Sequence, residues 1–189
     1  MAGRVELVTV VEESGDDPTV LAEVEAITGR GLVGDRYLLD EPGPHSDSNL
    51  TLIEREAHEH LEQEGLAVEE PFLRRNLVVT GIELNALVGK EFTVGEVLCR
   101  GTELCHPCHY LESITKPGVL KAMVMRGGIR AEILRGGVIR TGDEITVLDS
   151  SGGSDLELPA AVMADGCLVS DHPTAVGAPV PASNKAAKQ

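Results

Sequence analysis

Short apolar segments separated by glycine-containing turns are the feature that most restricts the fold of this chain. The strand-like segments are built mainly from Val, Leu and Ile, and they occur at 4–11, 20–27, 50–53, 77–79, 92–94, 97–99, 129–134 and 144–148. The tight Gly95-Glu96 pair between two of them is typical of a hairpin. Only two minor helices are predicted, at 54–63 and 117–125. Many short strands with few helices predict a mainly β protein, with a closed or nearly closed β-barrel.

The composition divides the chain into a globular part and a tail. Hydrophobic residues make up 42% of the 189 residues, but aromatic residues only 2%, so the core must consist of Val, Leu, Ile and Ala. After Ser150 the sequence becomes rich in Ala, Pro, Ser and Gly. Such a segment buries too little apolar surface to offset its ordering entropy. We therefore predict one barrel domain over 1–149 and a tail over 150–189 that is largely disordered or docked on the barrel.

Charge and hydropathy exclude several classes of partner. A formal net charge of -15 disfavours nonspecific binding to nucleic acid or to an anionic membrane, since both are polyanions. No apolar run is long enough to span a bilayer, and the N-terminus lacks the basic and hydrophobic pattern of a signal peptide. We therefore predict a cytoplasmic protein, in which the four cysteines are reduced rather than part of a disulfide scaffold.

Cys105-His106-Pro107-Cys108 combines two thiols and a histidine within four residues. It lies in a segment, 100–140, that carries seven Lys or Arg against three Glu. Positive surroundings bias a thiol toward thiolate, which is the nucleophilic and metal-binding form. Half of a zinc site, a thioredoxin-like redox pair and two ordinary loop cysteines are alternatives. We favour one reactive thiolate at Cys108, because Pro107 can fix the backbone just before it.

Several arginines indicate an anion site near this thiol. Arg74, Arg75 and Asn76 precede a predicted strand, and further arginines (Arg126, Arg130 and Arg135) surround the glycine pairs at 127–128 and 136–137. Arginine binds phosphates through two parallel hydrogen bonds, and glycines let a backbone approach an anion closely. The alternative is that these arginines are solvated residues beside turns. Asp35 is expected to cap or turn the backbone, or else to hold an arginine of the site.

The two histidines of the predicted helix at 54–63 are not assigned a function. His58 and His60 lie two residues apart among four glutamates, so they resemble a solvated face rather than a metal-binding pair.

Taken in order, these segments resemble the MOSC domain, which is named for the C-terminal domain of molybdenum cofactor sulfurase. The matching segments are GRGLVGDRY at 29–37, LTLIE at 50–54, RRNLVVTG at 74–81, LNALVG at 84–89 leading into FTVG at 92–95, CHPC at 105–108 with Leu111-Glu112, RGGIRA at 126–131 and GVIRTGD at 137–143. The resemblance implies a β-barrel of the pyruvate-kinase barrel type. It also implies sulfur or molybdenum-cofactor chemistry around one cysteine.

The resemblance gives the candidate residues their roles. Cys108 matches the family cysteine that ligates molybdenum or carries transferable sulfur, and Cys105 is an extra cysteine seen in some small members. We predict that both are catalytic, that Cys108 is the metal ligand, and that a second set of residues binds molybdopterin. That set is Arg74, Arg75, Asn76, Arg126, Arg130, Asp35 and Arg36. The chain has no room for the pyridoxal-phosphate domain of the sulfurases, so a sulfur-donor or electron-donor protein is expected.

Three functions remain open at this stage. The first is a molybdenum-cofactor enzyme that reduces a small N-oxygenated substrate. The second is a sulfur carrier in which Cys108 holds a persulfide that Cys105 resolves as a disulfide. The third is a noncatalytic interaction module that carries zinc.

Overall fold

The computed structural model describes residues 2–43 and 49–148, and within them strands predominate. The strands are β1 Gly3–Val10, β2 Thr19–Leu21, β3 Glu23–Ile27, β4 Gly31–Leu32, β5 Leu50–Glu54, β6 Leu77–Thr80, β7 Glu91–Val94, β8 Val97–Leu104, β9 Ile129–Arg135, β10 Gly137–Arg140 and β11 Glu144–Val147. The helices are α1 Arg55–Gln63, α2 His109–Ile114 and α3 Val119–Ala122, with 3₁₀ turns at Glu70–Leu73 and Leu84–Leu87. The prediction of a mainly β fold is confirmed. The tail predicted at 150–189 lies outside the described residues.

Seven of the strands close into a barrel in the order β1-β6-β5-β9-β8-β7-β11, and β11 pairs again with β1. The closing pair is antiparallel and places Gly3 opposite Ile145. β5 and β6 are parallel, whereas the other neighbouring strands of the barrel are antiparallel. β2 pairs with β1, and β10, β3 and β4 form a separate small sheet. The predicted closed barrel is therefore confirmed.

The barrel interior explains why so few aromatic residues are needed. Buried and partly exposed residues alternate along β9, as expected for a strand with one face toward the core. The main core consists of Val, Leu, Ile and Ala side chains with Phe92 and Cys99 among them. Small branched side chains suit the narrow interior of a barrel with so few strands.

A second apolar cluster lies between the barrel wall and the helices. Ile53 of β5 and Val78 of β6 contribute to it, and Leu61, Leu111 and Met123 come from α1, α2 and the residue after α3. Leu111 is the buried residue of α2. This cluster fixes α2 against the barrel, and with it the loop that connects β8 to α2.

His58 does not lie on a solvated face, so that prediction is wrong. Its side chain is only 4% exposed and is buried on the same side of α1 as Ala57 and Leu61. The apolar face of α1 is wide enough to include position 58, which a count of neighbouring glutamates does not show.

No helix of the described residues is long and apolar enough to cross a membrane.

Candidate functional site

The segment 105–108, called here the thiol loop, connects the end of β8 to the start of α2. Cys105 is 6% exposed, and its N–H donates a hydrogen bond of 2.8 Å to the carbonyl oxygen of Gly128. Cys108 is exposed and stands directly before α2 with an extended backbone. Both are free thiols. The loop therefore presents one sheltered and one accessible sulfur.

The Gly127-Gly128 pair packs directly against the thiol loop. A Cβ at Gly127 would lie 1.9 Å from the carbonyl oxygen of Cys105, and one at Gly128 would lie 1.9 Å from that of Leu52. Gly128 also has a φ of 82°, which is strained for any L side chain. The close approach that these glycines permit is thus to the protein's own backbone, whereas the sequence suggested an approach to an anion.

A cavity of about 720 Å³ opens beside the thiol loop. It brings together eight of the nine predicted site residues, namely Cys105, Cys108, Arg74, Arg75, Asn76, Arg130, Asp35 and Arg36. The ninth, Arg126, is exposed and does not line the cavity. Arg126 instead partly offsets the effect of burial, which raises the pKa of Glu54. The cavity has the size of small-molecule and cofactor sites.

Arg75 places a positive charge beside both thiols. Its Nε donates a hydrogen bond of 2.9 Å to the carbonyl oxygen of Gly127, and its Nη1 donates one of 3.0 Å to that of Leu73. Burial lowers the pKa of Arg75, while the Cys105 and Cys108 thiols act in the opposite direction by favouring its charge. Two backbone carbonyl oxygens therefore hold a positively charged guanidinium close enough to interact with both cysteines of the thiol loop.

Two side chains at the cavity carry buried donors without a partner among the described residues. Arg74, with a left-handed φ of 57°, donates from Nη1 to the carbonyl oxygen of Asp16, but its Nε and Nη2 have no hydrogen-bond partner. Asn49 is 7% exposed, and its Nδ2 is likewise unpaired. Unpaired buried donors are uncommon and costly. A ligand with acceptor oxygens would satisfy them.

Asn76 and Asp35 use their polar atoms on the protein itself. The Asn76 Oδ1 accepts from the N–H and the hydroxyl of Thr51, and its Nδ2 donates to the Thr9 carbonyl oxygen and to the Asp35 carboxylate. Asp35 also accepts from the N–H groups of Val11 and Tyr37. Of the two roles expected for Asp35, it therefore fixes the backbone and holds an amide rather than an arginine. Both residues line the cavity and hold its wall together.

Two tyrosines form a rim that the sequence analysis did not identify. Tyr37 and Tyr110 are the only tyrosines of the chain, and both line the cavity at 60% and 48% exposure. The Arg36 guanidinium lies 4.6 Å from the ring centroid of Tyr37, and that of Arg74 lies 5.9 Å from the ring of Tyr110. In a chain with so few aromatic residues, their sequence positions were the available signal, since Tyr37 directly follows Arg36 and Tyr110 follows Cys108 by two residues. Asn49 had none beyond its place before a predicted strand.

The described residues contain no group of three or more His, Cys, Asp or Glu side chains arranged to hold a metal ion. The half zinc site suggested by the sequence is therefore not completed within this part of the chain. Cys99 lies in the barrel core, where burial raises its pKa to about 12. Cys167 lies outside the described residues.

Comparison with known families and structures identifies similar proteins. The family model of the MOSC domain matches residues 33–146. The YuaD protein from Bacillus subtilis is 16% identical, with a TM-score of 0.67 over 78% of this chain and 96% of that one. YiiM from Geobacillus stearothermophilus is 17% identical, with a TM-score of 0.63 over 80% and 77% of the two chains.

YiiM from Escherichia coli is 19% identical, with a TM-score of 0.58 over 79% of this chain and 72% of that one. No curated protein matches. At these identities the solved structures establish similarity of fold.

Proposed function

This chain belongs to the MOSC domain family, and on that basis we propose that it binds the molybdenum cofactor in the cavity, with the Cys108 thiolate as the protein ligand of molybdenum. The observation that carries the proposal is the accessible Cys108 thiol beside a cavity whose walls supply arginines and buried donors that no described residue pairs with. Thiolate is a soft ligand suited to such a metal, and arginine is suited to phosphate. Chemistry and family therefore point to the same occupant.

The residues present fit this group. Arg74 Nε, Arg74 Nη2 and Asn49 Nδ2 are buried donors without partners among the described residues, as a phosphate-bearing ligand requires. Because the metal would be carried by the pterin, one protein ligand suffices. The lack of a three-residue ligand cluster among residues 2–43 and 49–148 is consistent with that arrangement.

Each side chain of the site would have a separate role in binding the cofactor. Cys108 would hold the metal, and Arg75 lines the same cavity with a positive charge. Arg74 and Asn49 would bind the phosphate, while Asn76 and Asp35 keep the segment before β6 in place. When bound, the cofactor would supply two-electron reduction with removal of an oxygen atom. We propose small N-oxygenated molecules as substrates and a separate protein as the electron donor.

Native mass spectrometry tests the proposal. The full chain is produced in cells that make the cofactor and is compared with Cys108→Ser and with Cys99→Ala, whose thiol lies in the barrel core away from the cavity. We expect a molybdenum-pterin adduct on the wild type and on Cys99→Ala, and none on Cys108→Ser. An adduct of equal occupancy on Cys108→Ser would show that Cys108 is not the ligand.

A persulfide carrier is the second candidate, because Cys105 lines the same cavity as Cys108 and Arg75 acts on both thiols. In that case the wild type would carry an increment of about 32 Da, one sulfur atom, that a reductant removes. Loss of Cys105 would then slow sulfur release, and a sulfur-donor protein would be required. The same spectra distinguish the two candidates.

A further inference from the structure

We propose that Cys105 and Cys108 are a reversible oxidation site, at which a hydroperoxide converts the two thiols to an intramolecular disulfide. We also infer that this disulfide withdraws Cys108 from the cofactor. The second statement rests on the proposed function, whereas the first rests only on the two thiols and their surroundings.

The two thiols differ in accessibility in the way that such a pair requires. Cys108 is exposed and lines the cavity, so an oxidant in solution reaches its sulfur first. Cys105 lines the same cavity but is only 6% exposed, so it is sheltered from direct attack. Arg75 interacts electrostatically with both, which places one positive charge within reach of each sulfur. An accessible attacking thiol beside a sheltered resolving thiol is the arrangement of reversible redox cysteines.

The backbone of the thiol loop allows the two sulfur atoms to meet. Cys105 is held by its hydrogen bond to Gly128, whereas His106 and Pro107 make no hydrogen bond to any described residue. Cys108 accepts one hydrogen bond, of 3.2 Å, from the N–H of Glu112. Few hydrogen bonds therefore hold the side of the loop that joins the two cysteines, and a spacing of three residues closes a small ring of the kind found in Cys-X-X-Cys proteins.

The chemistry balances with one equivalent of peroxide. The Cys108 sulfur attacks one oxygen of the hydroperoxide, the O–O bond breaks, and sulfenic acid forms with release of water or an alcohol. The Cys105 sulfur then attacks the sulfenic sulfur, the S–O bond breaks, and the disulfide forms with release of one water. Two thiols are oxidised and one peroxide is reduced. A dithiol reverses the step by exchange.

The other described cysteine does not share these properties. Cys99 is fully buried in the barrel core, does not line the cavity and has its pKa raised to about 12 by burial. A thiol in this state reacts slowly with peroxide. Cys99 therefore serves as an internal control for general oxidation.

Peptide mapping of the full chain tests the disulfide directly. Trypsin releases Cys105 and Cys108 together in the peptide 101–121, because the Lys116-Pro117 bond resists cleavage, and this peptide contains no Met. Cys99 and Cys167 fall in the separate peptides 91–100 and 141–185. One equivalent of hydrogen peroxide, followed by alkylation, should leave 101–121 about 2 Da lighter than its unmodified mass, with neither thiol alkylated. Dithiothreitol should restore two alkylation sites.

Variants decide whether Cys105 is the resolving thiol. In Cys105→Ser, and in Cys105→Ala if the serine variant folds poorly, we expect oxygen addition of about 16 to 32 Da on Cys108 that dithiothreitol reverses only in part. Cys99→Ala should form the disulfide as the wild type does. The proposal is overturned if wild-type 101–121 gains oxygen as fast as the Cys105 variants, or if the disulfide forms between two chains.

The effect on the cofactor is measured separately. Protein oxidised before exposure to the cofactor should lose at least tenfold in occupancy, and dithiothreitol should restore it. If the disulfide forms but oxidised and reduced protein bind the cofactor equally, the inferred withdrawal of Cys108 is wrong and the oxidation site stands. If Cys108→Ser keeps the cofactor, the proposed function fails while the disulfide result is unaffected.

Discussion

Asn76 should contribute to the stability of the protein rather than to ligand binding alone, and its replacement tests this. Asn76→Ala removes two hydrogen bonds from Thr51 of 3.1 and 2.8 Å and a third, of 3.3 Å, to the Thr9 carbonyl oxygen. A fourth, of 3.1 Å, to the Asp35 carboxylate is also lost. Neutral bonds are worth about 1 kcal/mol each and a bond to a charged group about 2 kcal/mol.

The free energy of unfolding should therefore fall by about 3 to 5 kcal/mol, the lower value applying if water from the cavity replaces some of the lost partners. Because the chain has no Trp, urea unfolding is best followed by far-ultraviolet circular dichroism. Asn76→Asp should be destabilised as well, since it sets a second carboxylate against Asp35.

Asn49→Ala is the matched control for Asn76→Ala. Asn49 also lines the cavity, but its amide nitrogen has no partner among the described residues, so its loss should change the unfolding free energy by less than about 1 kcal/mol. The reasoning would be refuted if Asn76→Ala unfolds like the wild type, or if both alanine variants lose the same stability.

Three further predictions concern packing, pH and binding. Gly128→Ala should lower the free energy of unfolding by about 3 kcal/mol or more, because its Cβ would meet a β5 carbonyl oxygen at 1.9 Å. Gly65→Ala, at a glycine with a similar φ but with open space around it, should lower it by about 1 kcal/mol. Equal losses in urea unfolding would contradict this. Burial lowers the pKa of His58 despite opposing effects of the Val68 carbonyl and Glu70, so the unfolded chain binds more protons. The free energy of unfolding should thus decrease as the pH falls below about 6.5, by at most about 1.4 kcal/mol per pH unit. His58→Phe should not show this contribution of His58 to the pH dependence. Identical pH profiles for the wild type and His58→Phe would count against the prediction. Arg74→Gln should weaken cofactor binding about tenfold in calorimetric titration and Arg126→Gln should not, and equal effects would rule out a special role for Arg74.

Local pattern predicted the strands because alternation and turns are local properties. The segment at 129–134 became β9, and the hairpin at Gly95-Glu96 joins β7 to β8. The parallel pairing of β5 with β6 and the closure of β1 on β11 depend on partners that are distant in sequence, so no local signal specifies them. Helix α2 was missed because its six residues bury only Leu111 and show no apolar stripe.

The sequence predicted those residues of the candidate site whose residue type by itself indicates chemistry. Cys108, Arg74 and Arg75 were identified because thiols and clustered arginines have recognisable chemistry and because all three match segments of the resemblance, and all three line the cavity. Asn49 could not be found, since an asparagine before a strand resembles any turn residue until the fold leaves its amide nitrogen without a partner in the described part of the chain. Asn76 is the opposite case. The sequence suggested that it binds a ligand, but in the fold both polar atoms of its side chain form hydrogen bonds within the protein.

The closing pair of the barrel has a consequence for how the protein is made. β1 spans Gly3–Val10 and is synthesised well before the strand that completes its pairing, β11, which begins at Glu144. While the ribosome is still translating the intervening residues, β1 has an unpaired edge that can associate with other nascent chains. Contacts of such long sequence separation also form slowly. Completion of the barrel therefore waits for β11, and the interval before β11 has been made is when the free edge of β1 is most open to association with other chains.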